Sequence, residues 1–230
     1  MTAGMEQGKI IAIEGTDGTG KRTQTELLVK RLMKEGYKTS TYSFPQYGKK
    51  SAGLAEEYLN NRYGPAGDVN PYAASLFYAL DRFDASVKMR SLRDQGHWIV
   101  LDRYVDSNAG HQGSKIKNEQ EREEFLKWLY GMEYQILGVP QPDLVFVLYM
   151  SAEKAIELNA KKEKRAYIEG EGNRDGLDSN MEHQKSAEKT YLWLAEKHRD
   201  THRIINCVED DELLSPEEIH DRIWEQLSFD

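Results

Sequence analysis

The sequence is poor in cysteine. Its single thiol, Cys207, lies in the apolar run Ile204–Val208 and has no second cysteine to pair with. A disulfide framework within the chain is excluded, and a reducing, cytoplasmic setting fits. Long hydrophobic runs are also missing. No stretch approaches the roughly 18 apolar residues of a membrane span. Met1–Gly8 is short and polar, and reads as a frayed lead-in rather than a secretory signal. Basic excess is missing too: 31 Lys and Arg stand against 39 Asp and Glu, a net charge of −8. That balance argues against nucleic acid as a partner, which needs a basic face. It leaves room for a small anion, because a local pocket of Arg and Lys can oppose the net sign. No Cys/His cluster points to zinc. His198 and His202 are four apart but close a charged helix. There is no Gly-x-Ser-x-Gly elbow for a hydrolase and no Asn-Lys-x-Asp guanine signature for a GTPase.

What is present is alternation. Apolar β-rich runs at Lys9–Glu14, Thr39–Phe44, Trp98–Asp102, Leu144–Met150 and Arg203–Val208 read as five strands. Between them lie helical patterns at Lys21–Glu35, Ser51–Asn60, Pro71–Gln95, Asp106–Gln112, Glu119–Leu137 and Ser151–Lys162. Ser179-Asn180-Met181-Glu182 and Ser215-Pro216-Glu217-Glu218 are capping boxes that open two more helices. Glu209–Leu214 reads as an acidic loop. Strands alternating with amphipathic helices predict one α/β domain over residues 1–230, a five-stranded parallel sheet covered by helices on both faces. Lys161–Asp178, rich in Lys, Glu and Gly, reads as a mobile segment. Ligands in such folds bind at the carboxyl ends of the strands. Polar residues stand at those ends.

The first strand runs into Gly15-Thr16-Asp17-Gly18-Thr19-Gly20-Lys21-Arg22-Thr23, and an amphipathic helix follows. This is the strand–loop–helix setting of a phosphate-binding loop. Glycines let successive backbone amides point at one anion, and the helix N-terminus adds its dipole. Lys21 reaches the β- and γ-phosphates of a bound nucleotide. The expected architecture is thus a P-loop NTPase-type three-layer sandwich. One place departs from the pattern: Arg22 stands where Ser or Thr normally ligates Mg²⁺, and Arg cannot coordinate a cation. Thr23 lies about 100° further round the helix and does not simply substitute. Asp102 ends an apolar strand, where a carboxylate meets Mg²⁺ directly or through water.

Further motifs stand in order along the chain: Phe44-Pro45, then Phe77-Tyr78-Ala79-Leu80-Asp81-Arg82, then Asp102-Arg103-Tyr104-Val105-Asp106-Ser107-Asn108, with Gln112-Gly113 closing the last string. Together with the loop, they resemble the thymidylate kinase family. The resemblance spans most of the chain and implies transfer of the γ-phosphoryl of ATP to dTMP, with Mg²⁺, in a homodimer. By position, it implies that Asp17 holds the sugar 3′-hydroxyl and that Arg82 and Gln112 contact the thymine ring. Tyr78 stacks on that ring, with Phe77 as the competing candidate. Arg103 clamps the acceptor phosphate, and Asn108 completes the acceptor site. His111 falls where the family often has an aromatic group beside the sugar C2′. Phe44 and Pro45 line the site. Tyr47 replaces an Arg that often grips the monophosphate, with Lys49 or Lys50 to compensate. The segment 161–178 corresponds to the lid, from which Arg165 or Arg174 approaches the transferring group. Two other readings stay open: a kinase of the same fold with another acceptor, and a nucleotide-binding protein with little catalysis because of Arg22.

Overall fold

The structure, a computed structural model, describes residues 7–155 and 181–227. In chain order the elements are β1 (Ile10–Gly15), α1 (Lys21–Lys34), β2 (Thr39–Ser43), α2 (Gly53–Leu59) and α3 (Pro71–Asp94). Then come β3 (Trp98–Asp102), α4 (Val105–Gly113), α5 (Glu119–Tyr130) and β4 (Leu144–Tyr149). The chain closes with α6 (Met181–Lys197), β5 (His202–Asn206), β6 (Val208–Glu209), β7 (Glu212–Leu213) and α7 (Pro216–Trp224). The strands β2-β3-β1-β4-β5 form one sheet in that order, all parallel.

Strand side chains alternate between the two faces of this sheet, so it builds two cores. Ile10, Ala12, Ile99, Leu101, Val145 and Val147 face one way, into the core shared with α3, α4, α5 and α6. Ile11, Ile13, Val100, Phe146, Leu148 and Ile205 face the other way, toward α1 and α7. The central strand β1 is buried along its whole length, as a strand covered on both faces must be. The result is the expected three-layer arrangement.

Helix ends follow local chemistry. Asn70 Oδ1 accepts from Tyr72 N at 2.9 Å, with Pro71 in the first turn of α3. Ser215 and Glu218 form a reciprocal capping box at α7. Each such cap is worth about 1 kcal/mol. Ser151 Oγ accepts from Lys154 N at 3.3 Å. The rest of the helix expected after Ser151, the capping box at Ser179 and the segment 161–178 lie outside the described residues.

Three expectations are corrected. The helix begun at Glu119 is α-helical only to Tyr130 and continues as a π-helical turn, Gly131–Ile136. A π-turn admits an extra residue and rotates the following side chains, which a 3.6-residue period cannot foresee. The stretch read as an acidic loop holds the antiparallel pair β6 and β7. The fifth strand also starts earlier and ends at Asn206.

Candidate active site

The carboxyl ends of β1, β3 and β2 open on a common cleft. The loop after β1 turns through left-handed glycines, with φ of +137° at Gly15, +88° at Gly18 and +87° at Gly20. A side chain at Gly15 would meet the Leu148 carbonyl at 2.5 Å, so only glycine lets β1 leave the sheet here. Thr19 Oγ1 donates to the Thr16 carbonyl at 2.8 Å and closes the loop. Lys21 is buried at the start of α1, donates to the same carbonyl at 2.7 Å, and lies 3.8 Å from Asp17 Oδ1. Arg22 leans outward. Its side chain is 86% exposed and pairs with Glu26 at 3.1 Å. Thr23 is also exposed. The two residues beyond the lysine therefore turn away from the loop's interior.

Asp102 ends β3. Burial raises its carboxyl above the usual range, opposed by the charge of Lys21 and then by Ser43 and Arg22. Its neighbour Arg103 takes a left-handed conformation, φ +65°, which a non-glycine residue adopts at a cost. That turn sends the guanidinium into the cleft. Nη2 forms an ion pair with Asp17, and Nη1 donates to Ser107 Oγ at 3.3 Å. Nη1 also lies 3.2 Å from His111 Nε2. A guanidinium can only donate, so this imidazole nitrogen accepts. The His111 proton then sits on Nδ1 and is donated to His183 Nε2, 3.2 Å away. Burial, followed by the charge of Arg103, holds His111 well below the ordinary histidine range, so the ring is neutral.

Beside Arg103 a cavity, partly open to solvent, is lined by residues from five parts of the chain. Asp17, Phe44, Pro45, Tyr47, Tyr78, Arg82, Arg103, Asn108, His111 and Gln112 all border it, and these are the acceptor-site residues named from the sequence. Tyr47 stands at the rim, 57% exposed. Phe77 is not in the lining; it packs against Tyr58 and Tyr63. Lys49 turns back onto Gln46 Oε1. Arg165 and Arg174 lie outside the described residues.

Three buried carboxylates hold this lining in place, and sequence reasoning assigned a role to none of them. Glu14 is wholly buried at the end of β1 and accepts from the amides of Tyr104 and Ser107 at 2.6 and 3.1 Å. It thus caps α4 from a neighbouring strand. Burial raises its pKa, with Asp106 adding to the effect and Ser107 opposing it. Asp81 takes the Gln46 amide at 2.7 Å, the Gln46 side chain at 3.0 Å and Ser51 Oγ at 2.6 Å. That pins the Phe44-Pro45-Gln46 loop to α3. Glu133 forms a two-point ion pair with Arg82. The signal was a charge inside an apolar pattern: Glu14 after Ile13, and Glu133 between Met132 and Tyr134.

His202, expected at a charged helix end, instead binds Asp106 Oδ2 at 2.7 Å through Nε2. Among the described residues no cluster of three His, Cys, Asp or Glu forms a metal site. Mg²⁺ in nucleotide sites commonly takes one or two carboxylates and completes its shell with phosphate oxygens and water. Asp102, close to Lys21, fits that mode.

The family model described as Thymidylate kinase matches residues 13–219. A Mycobacterium tuberculosis thymidylate kinase is 34% identical over 187 residues, covering 81% of this chain and 85% of the relative. The human thymidylate kinase is 28% identical over 155 residues, 67% of this chain and 66% of the relative. Among solved structures, a thymidylate kinase from Candida albicans superposes with a TM-score of 0.71 at 23% identity, covering 95% of this chain and 90% of that one. The chain belongs to the thymidylate kinase family.

Proposed function

We propose that the protein moves the γ-phosphoryl group of ATP onto dTMP in the cleft between the β1 loop and the cavity. A phosphate oxygen of dTMP bonds to the γ-phosphorus, the bond to the β–γ bridging oxygen breaks, and dTDP and ADP leave. The loop Gly15–Thr23 is the ATP phosphate cradle, with Lys21 at the β- and γ-phosphates. Arg103 clamps the acceptor phosphate at the tip of β3. Asp17 accepts from the sugar 3′-hydroxyl. Tyr78 stacks on the base, Arg82 and Gln112 contact it, Phe44, Pro45 and Asn108 line the site, Tyr47 stands toward the monophosphate, and the neutral His111 ring sits beside the sugar. Arg165 or Arg174 supplies further positive charge to the transferring group. Phosphoryl transfer needs positioning and charge rather than covalent help. Asp102 would hold Mg²⁺, which neutralises charge on the phosphates. The observation that carries the reading is the convergence of ten acceptor-site residues on one cavity beside Lys21 and Arg103.

The protein works in the cytoplasm as a homodimer in this reading. Leu76, Leu80, Phe83 and Val87 make an exposed apolar stripe along α3, 41–62% accessible. Their spacing of four, three and four is that of a helix face that packs on another helix. Among the described residues no helix is long and apolar enough to cross a membrane. A coupled assay of ADP release with dTMP, dUMP, dCMP and UMP tests the function. Preference for dTMP is the expected result. ATP and dTMP binding without ADP release above background would overturn it.

A further inference from the structure

We infer that Glu133 is a positioning residue for base recognition, acting through Arg82. The inference rests on the acceptor cavity proposed above and names what sets its selectivity.

Arg82 and Glu133 are both essentially buried, at 1% and 0% exposure. Arg82 Nε donates to Glu133 Oε2 at 2.7 Å, and Nη2 donates to Oε1. Nη1 donates to the Tyr104 carbonyl at 3.3 Å. A guanidinium has five N–H donors in a fixed plane. Three are engaged, which leaves one on each Nη atom for a ligand in the cavity that Arg82 borders. The carboxylate therefore sets the plane in which those two donors are presented. It also neutralises a charge that would otherwise sit unpaired in the interior. Asn108 Nδ2 donates to Glu133 Oε1 at 3.3 Å and to the Ser75 carbonyl at 3.1 Å. The same carboxylate thus orients a second lining residue. The π-turn Gly131–Ile136 is what brings Glu133 under α3 and α4.

The opposite polarity comes from Gln112. Tyr58 is hydrogen-bonded by the Gln112 side chain and by Lys115 Nζ, and donates to the Ala66 carbonyl at 3.0 Å. With its hydroxyl proton committed there, Tyr58 can only accept from Gln112, so the Gln112 amide NH₂ points to it. Gln112 Oε1 is left buried without a partner. The cavity offers donors from Arg82 and one orphaned acceptor from Gln112. A pyrimidine with a 4-oxo group and a 3-NH satisfies both. A 4-aminopyrimidine presents a donor to donors and an acceptor to an acceptor. Such polar mismatches are rejected far more strongly than a missing methyl group.

The test uses the full chain at saturating ATP, with dTMP and dCMP as acceptors. Glu133→Gln keeps the shape and removes the charge. Its expected effect is a rise of about thirtyfold in KM for dTMP, with a smaller preference over dCMP and no change in KM for ATP. In an Arg82→Met background, Glu133→Gln should add no more than a few-fold, because only its hold on Asn108 remains to be lost. An unchanged dTMP KM and preference in Glu133→Gln would overturn the inference, as would full additivity in the double variant. If Glu133→Gln fails to fold, judged by lost ATP binding, Glu133→Asp keeps the charge but draws the guanidinium back. It should also raise KM for dTMP, and an unchanged KM would count against the inference. A wild-type chain inactive on dTMP overturns this inference and the proposed function together. An active wild type with unaltered Glu133 variants overturns this inference alone.

Discussion

The two halves of the cleft are built differently. The donor side is a loop of main-chain amides closed by Thr19 and Lys21 on one carbonyl, with Arg22 and Thr23 facing solvent. The acceptor side is a set of side chains whose supports include three buried carboxylates: Asp81 holds the Gln46 loop, Glu133 holds Arg82, and Glu14 holds the start of α4. Every nucleoside triphosphate carries the same phosphates, so backbone amides and one lysine suffice to hold them. Choosing one base requires polar groups held at exact angles, and buried ion pairs do that at a desolvation cost. The donor half can tolerate an irregular residue such as Arg22. The acceptor half should not tolerate the loss of an anchor.

This contrast can be broken or sharpened by substitution. Lys21→Ala should have the largest effect, a fall in kcat of about a thousandfold from lost charge at the phosphates. Steady-state kinetics with both substrates checks it, and KM for dTMP should hardly move. Asp81→Ala strips the buried Gln46 amide of its acceptor and should cost about 2–3 kcal/mol of stability. Urea denaturation measures that cost, and a rise in dTMP KM without a rise in ATP KM would place the damage on the acceptor side. Arg22→Ser removes an exposed pair with Glu26, worth at most about 1 kcal/mol, and the positive charge that Arg22 sets near Asp102. It also restores a hydroxyl that can ligate metal. The expected result is a drop of a few-fold in the Mg²⁺ needed for half-maximal rate, with dTMP KM unchanged.

The smallest expected effect is on pH. His111 binds a proton more weakly in the fold than in the unfolded chain. The stability this contributes is present above the unfolded histidine pKa of about 6.5 and is lost as pH falls below it. Burial lowers His183 in the same direction. The urea midpoint should therefore decline from pH 7 to pH 5, and His111→Gln should flatten the decline without abolishing it.

Legibility in the sequence divides along the same line. The β1 loop is a contiguous string whose spacing already implies its geometry, and the five-strand order of elements follows from local periodicity. The lining residues were legible through the family resemblance, carried by short motifs in the β1 loop, after β2, on α3 and from Arg103 into α4. Their supports were not. Asp81 meets Gln46 from 35 residues away, Glu133 meets Arg82 from 51, and Glu14 meets Tyr104 from 90. No local pattern announces such a pair; only the folded sheet brings the partners together. The π-turn that delivers Glu133 likewise breaks the period that sequence reading relies on.

Calorimetric titration is the most direct check on the claim that base recognition and phosphate binding are separate constructions. dTMP and ATP would be titrated separately into the wild type and into Arg82→Met. The account predicts that Arg82→Met weakens dTMP at least about tenfold while ATP stays within about twofold. Equal dTMP affinity in the two proteins, or parallel loss of both ligands in the variant, would contradict it.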